Sequence, residues 1–172
     1  MLKILFKPEE SKYKSATDEY FSIWESEKEK IIGGFEVITG LKFPQIEIEV
    51  IVFEGVSFSG NENTPMKLRA SYSLEEKKGT LIHELGHRLI LKLENRINDI
   101  DEHHTLNLFL YDTWVYIYGE DFANNMVSIE SKRKGKYDYE SAWKWALNMS
   151  KEERKILFDN IKSLNPSSNI RQ

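Results

Sequence analysis

The clearest hydrophobic pattern lies near the middle of the amino-terminal half. Residues 46–50 alternate isoleucine or valine with glutamate, and the apolar run continues through 51–53. Strict alternation of this kind is typical of a β-strand with one buried face. Shorter patterns predict a first strand over 2–6, stopped by Pro8, and an edge strand over 66–72 that alternates apolar and polar residues.

Helical periodicity accounts for most of the remaining chain. Apolar residues spaced three or four apart among Glu and Lys predict an amphipathic helix over 17–32, which Gly33-Gly34 should end. Further helices are predicted over 73–93, 102–118, 121–132 and 140–164, the last divided near Ser150. Two capping boxes, Ser73 to Glu76 and Ser150 to Glu153, mark helix starts.

The order of these elements predicts the fold class. Strands and one helix come first, and only helices follow. Since alternating βαβ units are not predicted, we expect an α+β fold with a small mixed sheet packed on the helix over 73–93, followed by a helical carboxy-terminal half. We expect a single domain over 1–172, in which 1–72 is mainly sheet plus one helix and 73–172 is helical.

Composition narrows the possible functions. The net charge of −4 argues against nucleic acid as the main partner, because phosphate binding needs concentrated Lys and Arg. The chain has no cysteine, so a bound metal must be held by His, Asp or Glu. The amino-terminal apolar run is short and interrupted by Lys7, and no stretch is long enough to span a bilayer. We therefore expect a cytoplasmic protein with no membrane partner, and the sequence leaves the oligomeric state open.

The four histidines are clustered between His83 and His104. His83-Glu84-Leu85-Gly86-His87 forms an HExxH motif inside a predicted helix, where the i, i+4 spacing puts both imidazoles on one face. The intervening Glu84 can contact a metal-activated water without binding the metal. This arrangement predicts a Zn²⁺ site with His83 and His87 as ligands and Glu84 as the catalytic general base.

A catalytic zinc site normally has a third protein ligand. His103 and His104 follow the motif by 16 and 17 residues, a distance that lets the loop over 95–101 turn back and a new helix begin. On that helix, Thr105 and Asp112 share a side that we expect to face solvent, and His103 lies opposite. We therefore expect His103 as the third ligand, with His104 and Glu130 as alternatives.

The motif in its helix resembles the zincin metallopeptidases. The metzincin continuation is missing, because Ile90 and Leu93 stand where its glycine and third histidine would be. A third histidine about 16 residues on is similar to the SprT-type arrangement, although the zinc-ribbon cysteines are missing. The segment over 101–114 also resembles small metallopeptidase-like proteins of prokaryotes and phages. The resemblance implies a zincin-like fold in which an edge strand, here 66–72, lines a cleft and pairs with a peptide.

These observations favour a zinc metallopeptidase, a hydrolase that cleaves a peptide or protein substrate. Tyr111 and Tyr137 are candidates for stabilising the oxyanion. Two alternatives remain: a zincin-fold binding or regulatory module without turnover, and a metal-dependent hydrolase of a non-peptide amide or ester. An intact Glu84 argues against the first alternative, because a purely structural metal site needs no carboxylate between its ligands.

Overall fold

The computed structural model describes residues 2–93, 100–134 and 137–165. Its strands are β1 (Lys3–Pro8), β2 (Glu47–Phe53) and β3 (Met66–Arg69). Its α-helices are α1 (Lys14–Thr39), α2 (Leu74–Ile90), α3 (Glu102–Tyr118), α4 (Glu120–Ser131), α5 (Tyr139–Leu147) and α6 (Lys151–Ser163). A short 3-10 helix, Ser11–Tyr13, precedes α1. The predicted combination of a small sheet with many helices is confirmed.

The chain divides into two compact units. The first comprises Met1–Phe35 and Leu41–Leu89, and the second comprises Glu36–Gly40 and Ile90–Gln172. The first unit contains the sheet, most of α1 and nearly all of α2, and the second contains α3 to α6. The expectation of one domain over 1–172 stays a prediction.

The described strands form a three-stranded sheet in the order β1-β2-β3, with both neighbouring pairs parallel. The prediction of a mixed sheet is therefore wrong for these strands. The prediction that βαβ units are absent is also wrong, because β1, α1 and β2 form one. A parallel pair needs a long crossover, and the 26-residue helix α1 supplies it. Strand alternation is confirmed in β2, where Ile48, Val50 and Val52 are buried.

Helix α1 is longer than predicted at both ends. It continues through Gly33-Gly34, the pair that was expected to end it, and stops at Gly40, whose φ of 70° is favourable for glycine. Each helical glycine costs about 1 kcal/mol relative to alanine. Burial of Phe35, which is completely inaccessible to solvent, outweighs that local cost.

Helix α2 begins where its capping box predicts. The backbone N–H of Glu76 donates to Ser73 Oγ at 3.2 Å, and the N–H of Ser73 donates to the Glu76 carboxylate at 3.0 Å. Two ion pairs tie α2 to α1, from Lys77 to Glu19 and from Lys78 to Glu27. The last ten residues of the helix, 81–90, are all buried. Burial on every side holds this part of the helix in one orientation.

The second unit is built around α3, which packs against α4, α5 and α6. Its bounds match the prediction, and α5 and α6 are separated at Ser150 as expected. The side chain of Ser150 and that of Glu153 form the second predicted capping box. The predicted loop over 95–101 lies outside the described residues except for Ile100 and Asp101.

Candidate metal centre

Helix α2 places the two motif histidines side by side and inside the protein. His83 and His87 are 2% and 5% exposed, respectively. Their Nε2 atoms are 3.2 Å apart. Two imidazoles at this distance either share one proton in a hydrogen bond or direct two lone pairs at one cation.

The separation of these nitrogens tests whether zinc fits. Zinc binds histidine nitrogen at about 2.0–2.1 Å with tetrahedral angles, which puts two ligand nitrogens about 3.3 Å apart. The 3.2 Å between the Nε2 atoms of His83 and His87 is close to that value. The pair therefore fits two corners of a tetrahedral site without rearrangement of α2.

His103 completes a group of three. One ring nitrogen from each of His83, His87 and His103 lies within 4.8 Å of those of the other two, and all three residues are buried. Among the described residues, no other three His, Asp or Glu side chains bring their ligand atoms this close together. These three imidazoles could hold one metal ion.

The two alternatives for the third ligand have other partners. The Nδ1 atom of His104 lies 2.8 Å from Asp101 Oδ1, and its ring contacts Trp145 edge-on. Glu130 is buried in the second unit, where it accepts a hydrogen bond from Trp143 Nε1 at 3.1 Å and pairs with Arg133 at 3.3 Å. Neither side chain belongs to the histidine group.

The expectation that Thr105 and Asp112 face solvent is wrong. Thr105 is 3% exposed, and its hydroxyl donates to the carbonyl of Asp101 at 3.1 Å. Asp112 is 8% exposed, because Arg154 of α6 covers it and donates to both carboxylate oxygens. Helix α3 is buried on nearly all sides, so a polar side could not be inferred from these two residues.

Glu84 lies between the two motif histidines in sequence and is only 4% exposed. Glu84 is therefore a buried carboxylate and not a solvated surface charge. Arg88, one helical turn later, is also buried, at 2% exposure. Burial lowers the pKa of the Arg88 guanidinium, and the carboxylates of Glu62 and Glu84 oppose that shift. Nothing in the sequence around His87 distinguishes Arg88 from a solvent-exposed arginine near the end of a helix.

Two tyrosine rings contact the His103 ring. Its ring centroid lies 4.3 Å from that of Tyr137 and 5.0 Å from that of Tyr139. Tyr111, the other predicted oxyanion candidate, instead donates to Asn124 Oδ1 at 3.0 Å. Tyr139 is the first residue of α5, and no sequence spacing relates it to the motif, so it was not among the predicted site residues.

Comparisons with protein-family models, with curated proteins and with solved structures find no match to this chain. In the described part of the chain, none of the helices is both long enough and apolar enough to cross a bilayer.

Proposed function

We propose that this protein is a zinc-dependent metallopeptidase of zincin type. In this proposal His83, His87 and His103 hold Zn²⁺, and Glu84 is the general base. The main support is the 3.2 Å between the Nε2 atoms of His83 and His87, with a buried carboxylate in the residue between them.

The three histidines suit a catalytic zinc site better than a purely structural one. Three neutral imidazoles leave the ion its full charge, and three protein ligands leave a fourth position open. When bound, zinc would supply Lewis acidity, which polarises a carbonyl group and makes a water molecule more acidic. This chemistry is the kind that peptide hydrolysis at neutral pH requires.

The remaining chemical steps are carried out by side chains of the protein. A carboxylate oxygen of Glu84 takes the proton of the attacking water and passes it to the nitrogen of the leaving amine. Burial of Glu84 supports this role, because a carboxylate kept from bulk water transfers protons to the substrate instead of exchanging them with solvent. Tyr137, whose ring contacts that of His103 and which is 42% exposed, is the proposed donor to an oxyanion.

The test combines metal content with turnover. In protein purified without an affinity tag, we expect one equivalent of zinc in the wild type and in Glu84→Gln. We expect none in His83→Ala or His87→Ala. Hydrolysis of fluorescein-labelled casein should fall by about a hundred- to ten-thousand-fold in Glu84→Gln, because Gln keeps the shape of Glu and removes the base.

Each outcome separates a different part of the proposal. Zinc retained at wild-type level in either histidine variant would reject the site. Full turnover in Glu84→Gln would place the base elsewhere. A wild type that binds zinc but cleaves no casein would favour a binding module or a hydrolase of non-peptide amides or esters.

A further inference from the structure

The outer edge of strand β3 is covered by a segment of the same chain. Residues 54–65, here called the strap, connect β2 to β3. Part of the strap lies antiparallel beside β3. The backbone N–H of Phe58 donates to the carbonyl of Lys67 at 3.0 Å, and the N–H of Lys67 donates to the carbonyl of Phe58 at 2.9 Å. These two residues form an antiparallel bridge on the edge that sequence analysis assigned to a peptide.

Side chains of the strap also accept hydrogen bonds from backbone N–H groups on the carboxy-terminal side of this bridge. The N–H of Arg69 donates to Ser57 Oγ at 3.0 Å, and the N–H of Ser71 donates to the Glu54 carboxylate at 3.2 Å. A peptide that adds to a sheet edge needs such donors and acceptors free. Pairing of a peptide with β3 therefore requires the strap to leave.

The far end of the strap is anchored by Arg88, the residue after His87. Its guanidinium donates to the carbonyls of Ser59 and Thr64, each at 2.6 Å, and to the carbonyl of Asn61. Gly60 makes this turn possible, with a φ of 67° and no room for a Cβ, which would lie 2.5 Å from the carbonyl oxygen of Pro65. The anchor joins the strap to the helix that carries the motif.

The central part of the strap is held much less firmly than its ends. Val56 is 77% exposed and Phe58 is 46% exposed, so both bury less apolar surface than a core residue does. Backbone hydrogen bonds and one serine hydroxyl hold the segment on β3, and each contributes about 1 kcal/mol net. An incoming strand would replace these bonds with equivalent ones.

We propose that the strap occupies the position of the substrate on β3 and thereby inhibits the protein. An extended, unfolded polypeptide displaces the strap when it pairs with β3. The inference rests on the proposed peptidase function and adds the conformation of the substrate. It assigns residues 56–58 as the displaced part and Arg88 as the positioning residue that keeps the strap beside the motif.

The absence of cysteine from the chain allows a clean test by cross-linking. Phe58 and Lys67 exchange both backbone hydrogen bonds, a geometry with Cα atoms about 5.5 Å apart and within disulfide range. The double variant Phe58→Cys/Lys67→Cys locks the strap when oxidised and frees it when reduced with a phosphine. The same chain therefore provides its own matched control, and zinc content checks that the site survives.

Binding and turnover are measured separately so that the two proposals can fail independently. Added to Glu84→Gln, the cysteine pair allows binding of fluorescein-labelled casein to be followed by fluorescence anisotropy without cleavage. We expect at least tenfold weaker binding in the oxidised form than in the reduced form. Ser57→Ala, which removes one strap contact, should bind casein more tightly than its parent in the same Glu84→Gln background.

Equal binding by the oxidised and reduced forms, or no binding by either, would overturn the strap proposal whether or not the wild type cleaves casein. Tighter binding by the reduced form, in a protein whose wild type cleaves nothing, would retain the strap and reject the peptidase. Unchanged binding in Ser57→Ala would overturn the assignment of residues 56–58 as the displaced part.

Discussion

His103 and His104 are neighbours in sequence and have different surroundings. The His103 ring is buried and contacts the rings of Tyr137 and Tyr139, and one of its nitrogens lies within 4.8 Å of a ring nitrogen of His83 and of His87. The His104 ring is bound by Asp101, whose pKa is lowered: burial alone would raise it, but hydrogen bonds from His104 outweigh that effect. A difference of one position on a helix thus separates a proposed ligand from a side chain that stabilises the helix start.

This difference gives a prediction for a matched pair of variants. We expect His103→Ala to lose stoichiometric zinc, because two imidazoles alone leave the proposed site a ligand short. We expect His104→Ala to retain one equivalent, as should Glu130→Gln. Elemental analysis of the purified variants checks the expectation. Zinc loss in His104→Ala with retention in His103→Ala would exchange their roles.

Among the elements, α3 and α6 are joined by a buried ion pair. Arg154 donates to both oxygens of Asp112 at 2.9–3.1 Å and to the carbonyl of Met149 at 2.7 Å. The side chains of Arg154 and Asp112 are 6% and 9% exposed. A buried charge is costly without its partner, whereas the intact pair adds little beyond what apolar packing would give.

Removing one partner should therefore cost more than replacing both. We expect Arg154→Met to lower the free energy of unfolding by about 3–5 kcal/mol, because it leaves the Asp112 carboxylate buried and unpaired. We expect the double variant Arg154→Met/Asp112→Leu to recover most of that loss. Urea unfolding of the three proteins measures it. A double variant as unstable as the single one would show that the pair itself is the stabilising feature.

For the whole molecule, a bound metal would couple function to stability. A ligand that binds only the folded state stabilises it by about 2.7 kcal/mol at one hundred times its Kd. The proposed ligands come from α2 and α3, which are 11 residues apart along the chain. Zinc held by the proposed ligands would therefore stabilise the folded state.

We accordingly expect EDTA to lower the Tm of the zinc-loaded wild type by roughly 5–10 °C. In His83→Ala, which should bind no zinc, EDTA should leave the Tm unchanged. Calorimetry with and without EDTA makes the comparison. An equal shift in both proteins would assign the effect to a different ion site.

Local interactions explain what the sequence alone determined. The alternation in β2, the capping boxes of α2 and α6, and the bounds of α3 depend on residues within a few positions of one another. The HExxH spacing is local as well, so it predicted that His83 and His87 share one face of a helix. The Glu84 role and the zinc site stay predictions.

Tertiary structure decided what depends on distant residues. Burial of Phe35 carried α1 through Gly33-Gly34, and this long crossover let β1 and β2 pair in parallel. Arg154 made Asp112 part of the interior, which no helical wheel could show. The strap covers the edge of β3 through backbone hydrogen bonds and through side chains such as Ser57 and Arg88, whose partners are distant in sequence and so could not be predicted from local pattern.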